Sequence, residues 1–301
     1  MTSQVAGSRM ENMTIDEVAD KKTNQFLVVL RRFLKHKLAV IGACIIIFMI
    51  LVAVFAPMLA PYHYEEQHLQ DTLEAPNSTY WFGTDQYGRD IFSRIIYGAR
   101  TSLLVGFGSV SVGAVFGSLI GIIAGYFGGK IDNLLMRCMD VLLAMPHMLL
   151  AISISAMLGP GLVNAVIAIS VGRIASFSRI ARASVITVRE MEYVEAVRAI
   201  GAPNPRIIAK HILPNVAAPL IVQISLNLGS SILAGAGLSF IGLGVQPPIA
   251  EWGAMLSTGR SLIRFNWWLT TFPGIAIMLC VYGFNLMGDG LRDALDPRLK
   301  N

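Results

Sequence analysis

The chain has 301 residues, 54% of them apolar and 14% charged, with a mean hydropathy of +0.60. That balance excludes a soluble globular domain and fits a polytopic membrane protein. The net charge of +5 calls for no nucleic-acid partner, because no soluble fold is available to carry a basic patch.

Residues 1–24 are polar and aperiodic and read as the flexible start of a leader over 1–37. His36, between Lys35 and Lys37, is placed at the membrane interface. Leu38 to Leu59 carries no charge. A crossing takes about 20 residues, so 38–60 is a first transmembrane helix. It starts late, is too long and lacks a small-residue cleavage site, so a cleaved signal peptide is not expected. Residues 61–100 form an extracellular segment with an interfacial helix. His63 and His68, with Glu65 and Glu66 between them, carry donors for a borderline cation. Their spacing fits no regular face, and no metal site is expected. Asp85, Arg89 and Asp90 follow, and Asp90 stands four residues before Arg94, a spacing suited to an ion pair on a short helix. Two compatible readings remain: a cap or contact for a second protein, and an interfacial helix anchored by the snorkelling Arg94 and Arg100.

Five further apolar segments lie near 101–125, 134–158, 161–178, 215–243 and 267–288. Gly113, Gly117, Gly121 and Gly125 recur every four residues and share one helical face, where another backbone can approach closely. Such a face serves either ordinary tight packing or sliding in a moving protein. Pro146 is expected to kink the next segment, and His147 to be buried, neutral and hydrogen-bonded. Only Gly159 and Pro160 separate that segment from the following one, a tight hairpin. Arg173 is expected near the interface or against protein. Gly235, Gly237, Gly242 and Gly244 weaken the end of the fifth segment, by about 1 kcal/mol each relative to alanine, and point to a broken or re-entrant end there. Cys44, Cys138 and Cys280 lie in or beside these spans without CxxC spacing and read as small buried hydrophobes.

Six spans put both termini on one side. Nineteen of the 24 Lys and Arg residues lie in 1–37, 126–137, 173–214 and 289–301, and five lie on the other face. The positive-inside rule places that richer face, including a tail over 290–301, in the cytoplasm. The core of the protein then runs from 101 to 289 and carries one long polar excursion, 179–214. Here Glu190 to Ile200 has helical composition, and Gly201 stands where a helix would stop. Asn204 reads as a cap with Pro205 at the first helical position. A second short helix ends or kinks at Pro214.

This excursion resembles the "EAA" loop of bacterial ABC importer permeases, in which Glu-Ala-Ala is followed by a glycine and later by Leu-Pro. Here the pattern is Glu195, Ala196 and Val197, then Gly201, then His211, Ile212, Leu213 and Pro214. Val197 and His211 depart from the general pattern, and His211 is similar to the dipeptide/oligopeptide/nickel branch. Four other stretches resemble that branch in the same order: Phe82 to Asp90, Leu238 to Gly244, Pro247 to Gly253 and Gly288 to Arg298. Ala234 and Gly235 stand where branch members often carry an acidic residue. The resemblance implies an all-α permease with six transmembrane helices, the second or "C"-type subunit of an importer for di- or oligopeptides, with nickel chelates as the alternative. It implies coupling to an ATPase through Glu195, Ala196, Gly201, Pro205, Leu213 and Pro214. It also implies four partners besides lipid: a homologous permease, one or two cytoplasmic ATPase subunits that hold ATP and Mg, and an extracellular or periplasmic binding protein for which Asp85, Arg89 and Asp90 are candidate contacts. The chain itself is expected to bind no cofactor and to catalyse no reaction. Gly125 to Lys130 lacks the spacing of a phosphate loop, and Ile131 replaces its Ser or Thr. A secondary transporter would need inverted repeats and deep ionisable residues, and neither is evident.

Overall fold

The computed structural model describes residues 25–295, and its described residues are helices and connecting loops. The expected irregular leader over 1–24 and the tail beyond 295 lie outside the described residues. Helix α1 (Gln25–Lys35) leads to His36, whose Nδ1 accepts from the Ala39 amide and caps α2 (Lys37–Val54). Among the described residues five helices are long and apolar enough to cross a bilayer, and one bent pair makes a sixth if it is counted as a single broken span. Large apolar side chains such as Ile47, Phe48, Leu104 and Val163 face outward, because in lipid the apolar surface has no reason to turn inside.

Helix α3 (Ile91–Phe127) has 37 residues, about 55 Å at 1.5 Å per residue and well beyond the bilayer core. Ile91 to Arg100 therefore form no separate interfacial helix; they are the first turns of a span. Asp90 caps that helix through Ser93 instead of pairing with Arg94. Arg94 turns to the Tyr64 carbonyl at 2.8 Å and to Asp85, and Arg100 reaches the carbonyls of Ala53 and Val54 at the end of α2. These basic residues tie down neighbouring backbone rather than snorkelling.

The segment expected as one kinked span is broken. Helix α4 (Gly129–Leu143) and helix α5 (His147–Leu158) meet at 89° across Pro146, since proline cannot donate into the helical ladder and restricts the residue before it. Helix α6 (Leu162–Arg189) then returns along α3. Here the glycine face is filled. A Cβ on Gly117 would lie 2.5 Å from the Ile174 carbonyl oxygen, and one on Gly121 would lie 2.3 Å from that of Ser178. Gly113 and Gly125 meet Arg173 and Arg182 to Val185 in the same way. Two backbones touch along four turns.

After the short helix α7 (Glu192–Ala199) the chain enters α8 (Asn204–Phe240), which runs without interruption past Pro214. Pro214 does not end it. A π turn over Ile208–Ile212, in which the Leu213 amide donates to the Ile208 carbonyl, widens the helix just before the proline, where a normal ladder would lose a donor. Gly235 and Gly237 are also helical, packed on Val105 and Met148, so the expected break begins only at Ile241. Helices α9 (Trp252–Gly259) and α10 (Trp268–Leu295) complete the chain. The far end is stitched by buried groups. Glu251 caps α9 through the amides of Gly253 and Ala254, and Trp252 Nε1 donates to the Ile95 carbonyl. Cys280 is buried, but Cys44 and Cys138 are exposed, on helix faces that a lipid solvent leaves free.

Candidate functional site

The polar excursion is a compact hairpin seated on the ends of α3, α6 and α8. Arg179 to Arg189 belong to α6, so the hairpin proper starts at Glu190. Its turn is closed by two bonds, from the Gly201 amide to the Arg198 carbonyl at 3.0 Å and from the Ala202 amide to the Val197 carbonyl at 3.3 Å. That pattern ends a helix in a left-handed residue, and Gly201 has φ of +83°. Glycine adopts it without a Cβ penalty.

The underside is apolar. Val194, Ile207, Ile212 and Val216 are fully buried and join Val185 and Val188 in one core. Burial of a side chain of this kind stabilises by roughly 1.5–3 kcal/mol, so the hairpin does not hang free. The upper face is open: Glu195, Ala196, Gly201, Pro205, Leu213 and Pro214 are all exposed, and Ile200 is 83% exposed at the tip. The tip thus sets one exposed apolar side chain among Glu192, Glu195, Arg198 and Arg206, which are also exposed.

Polar ties fix the angle. The Tyr126 hydroxyl donates to Asn204 Oδ1 at 2.8 Å, and the Arg198 guanidinium lies 5.6 Å over the Tyr126 ring. Asn204 is thus an acceptor for a distant tyrosine; Pro203, with no side-chain bond, occupies the cap position. No ion pair joins Glu195 to Arg198 among the described residues. Arg189 donates to the carbonyls of Gly125 and Tyr126, satisfying the end of α3. Asn215 Nδ2 donates to the Tyr193 hydroxyl at 3.0 Å. Helix α4 is pinned alongside by two pairs, Arg182 with Asp132 and Arg179 with Asp140. Tyr126, Arg189 and Asp132 carry no local signal in the sequence; their roles exist only because α3, α4 and α6 end together.

At the opposite end Asp85, Arg89 and Asp90 are turned inward. Arg89 Nε meets Asp85 Oδ2 at 2.7 Å, and Arg89 and Asp90 are buried. They bind the loop to itself, with Asp85 left half-buried. Burial pushes the Asp90 carboxyl above the usual carboxylate range, and its Oδ1 has no partner. Burial does the same to Glu251 despite the amides it accepts from. His63 accepts from the Glu65 amide, and His68 packs edge-on against Tyr62. No cluster of three or more potential metal ligands occurs among the described residues.

The comparisons with known proteins meet this geometry. Residues 117–301 match the family described as binding-protein-dependent transport system inner membrane component, and residues 24–76 match the N-terminal TM domain of oligopeptide transport permease C. A dipeptide transport system permease protein of Alkalihalophilus pseudofirmus is 52% identical over 89% of this chain and 88% of its own length. A probable D,D-dipeptide transport system permease protein of Escherichia coli is 46% identical over 87% and 88%. A glutathione transport system permease protein of Pectobacterium atrosepticum is 44% identical over 90% of each. Among solved structures, an inward-facing MetNI methionine ABC transporter chain matches with a TM-score of 0.54 at 19% identity, covering 68% of this chain and 98% of that one. At that identity the likeness is one of fold. The family match spans most of the core and the relatives run nearly end to end, so the chain belongs to the binding-protein-dependent transport system inner membrane components and is an ABC importer permease.

Proposed function

We propose that this chain forms one half of the membrane pathway of a bacterial importer of di- or oligopeptides. Two homologous permeases would line the path. One or two cytoplasmic ATPase subunits, holding ATP and Mg, would supply the energy, and a binding protein outside the inner membrane would deliver the substrate. The chain performs no chemistry of its own. The hairpin carries the reading: an apolar underside fixed to three spans, and an exposed tip at Ile200 with the Glu195 to Gly201 turn beside it. Closure of the ATPases pushes that tip, and the buried underside passes the push to α3, α6 and α8 as a rigid rotation. The peptide substrate class is supported by the relatives, which are transport permeases for dipeptides, D,D-dipeptides and glutathione. Both termini and the hairpin are assigned to the cytoplasm by the charge bias of nineteen to five.

The test is uptake in a clean deletion of this gene in cells without a redundant importer. Loss of labelled dialanine uptake, restored by the intact gene, is the expected result, with nickel and free amino-acid uptake unchanged. Normal dialanine uptake, or loss of nickel uptake alone, overturns the substrate assignment. A cysteine at Ile200 that reacts with an impermeant thiol reagent from outside intact cells overturns the topology.

A further inference from the structure

A cavity of about 590 Å³ opens among α5, α6, α8, α9 and α10, within the roughly 300–1,000 Å³ range of small-ligand sites. Its walls include Met148, Phe240 and Leu256, and its polar groups are His147, Arg173 and Ser230. The lining contains no acidic residue. Arg173 is the eleventh residue after Leu162, about 17 Å along α6 from its outer end, and His147 lies as far from Leu158 along α5. Both therefore lie well inside their apolar segments, and Arg173 faces protein, one of the two placements expected of it. Both line the cavity, His147 against Gly172, where a Cβ would lie 2.9 Å from its Nδ1; His147 is exposed rather than buried as expected.

Arg173 is held only by neutral groups. Its guanidinium donates to Asn227 Oδ1 and, at 3.0 Å, to Ser230 Oγ. No carboxylate pairs with it among the described residues. A charge at this depth is costly and is ordinarily matched by a counter-charge or used on a substrate path. Asn227 and Ser230 fix the fork in place without neutralising it, which leaves a planar pair of donors free to meet a carboxylate in two parallel bonds.

Resting on the peptide-import reading, we propose that Arg173 is a specificity-determining residue that receives the C-terminal carboxylate of the peptide as it crosses the membrane. His147 stands beside it, and the apolar wall takes the side chains. A cationic station in an otherwise apolar wall suits the terminal carboxylate, one of the two charged ends that every free peptide carries whatever its side chains.

The experiment uses the purified full assembly, permease pair with ATPases, first without the binding protein. Equilibrium dialysis compares dialanine with its C-terminal amide, for the intact protein and for Arg173→Gln and Arg173→Lys. The intact assembly is expected to bind dialanine about tenfold or more tightly than the amide, the scale of a charge-assisted bond. Arg173→Gln should erase that preference, and Arg173→Lys should restore part of it. Uptake of dialanine into proteoliposomes with the binding protein should fall in the glutamine variant through its maximal rate, not its half-saturating concentration. No preference in the intact assembly, no binding at all, or an equal loss for both peptides in Arg173→Gln overturns the proposal; the last outcome identifies Arg173 as a structural tie between α6 and α8. Proteoliposomes with intact protein that import no peptide overturn the broader reading instead, whereas peptide import without the carboxylate preference removes only this site.

Discussion

The Tyr126 hydroxyl donates to Asn204 Oδ1 across 2.8 Å, joining the end of α3 to the first residue of α8 over a separation of 78 positions. The same ring lies beneath Arg198 on the other arm of the hairpin. One side chain thus touches both arms and the membrane span below them. Tyr126→Phe keeps the ring and removes the bond, a loss of about 0.5–1.5 kcal/mol. Abundance should stay near normal while uptake falls by about two- to tenfold. Uptake equal to the intact protein's at equal abundance would refute a role for this tie.

Gly201 separates conformation from space. No atom lies within 4 Å of a Cβ built there, yet its φ is +83°. Gly201→Val should cost about 1–2 kcal/mol of backbone strain, relieved by reshaping the exposed turn. Gly201→Asn should be milder, since asparagine tolerates this region. The expected order of ATPase co-purification and uptake is glycine, asparagine, valine, with insertion unchanged. Glu195→Lys should also weaken co-purification, through contact with the partner, because Glu195 pairs with no residue of its own chain among those described. Full co-purification of Gly201→Val and Glu195→Lys would leave the hairpin without a coupling role.

The glycine face predicts the opposite phenotype. At Gly121 the obstacles are the Ser178 carbonyl and the Ala181 Cβ, and backbone cannot swing aside. Gly121→Val should therefore separate α3 from α6 and cut the amount of folded protein, within the range of about 1–3 kcal/mol or more for overpacking. Val115→Ala, on the 57% exposed face of the same helix, should leave abundance unchanged. Detergent-extracted yield and thermal melting decide between them; equal behaviour of the two variants contradicts the close approach.

Asp90 and Glu251 set a pH dependence. Burial raises both carboxyls above their ordinary values. Below about pH 4 both folded and unfolded forms are protonated. As the pH rises past that point the unfolded chain loses its protons first, and the folded protein must then ionise buried groups. Stability therefore falls as the pH climbs from about 4 through the raised folded values. Melting between pH 4.5 and 7.5 should show this decline, flattened in Asp90→Asn and Glu251→Gln. Identical slopes in all three proteins would contradict it.

The spans were legible because a lipid solvent demands long apolar runs, and the hairpin because a glycine between two helical compositions admits few alternatives. What stayed hidden depends on distant partners. Ile91 to Arg100 looks interfacial because Arg94 and Arg100 read as solvent-seeking, yet the carbonyls of Tyr64, Ala53 and Val54 absorb them. Pro214 reads as an end or a kink, and local rules do not anticipate the wider turn just ahead of it that lets the helix run on. Arg173 reads as either interfacial or facing protein, and only the folding of α6 against α8, which sets it on Asn227 and Ser230, decides for the second. Asp85 and Arg89 read as a surface until the loop closes over them.

The backbone seam between α3 and α6 has a mechanical consequence. Carbonyl oxygens of Ile174 and Ser178 occupy the space beside Gly117 and Gly121, so the two helices interlock like the teeth of a zip and cannot shear past each other. Tyr126 and Arg189 fasten the same pair at the hairpin end. On the proposed coupling role, the pair would act as a stiff beam, and displacement applied at Ile200 would reach the far ends of both helices with little lost to internal give. Compliance has to reside where side chains rather than backbones meet, as where the flexible thioether of Met148 rests on Gly237 beside the cavity. The beam would carry the stroke, and the methionine contact would let the pathway change its width.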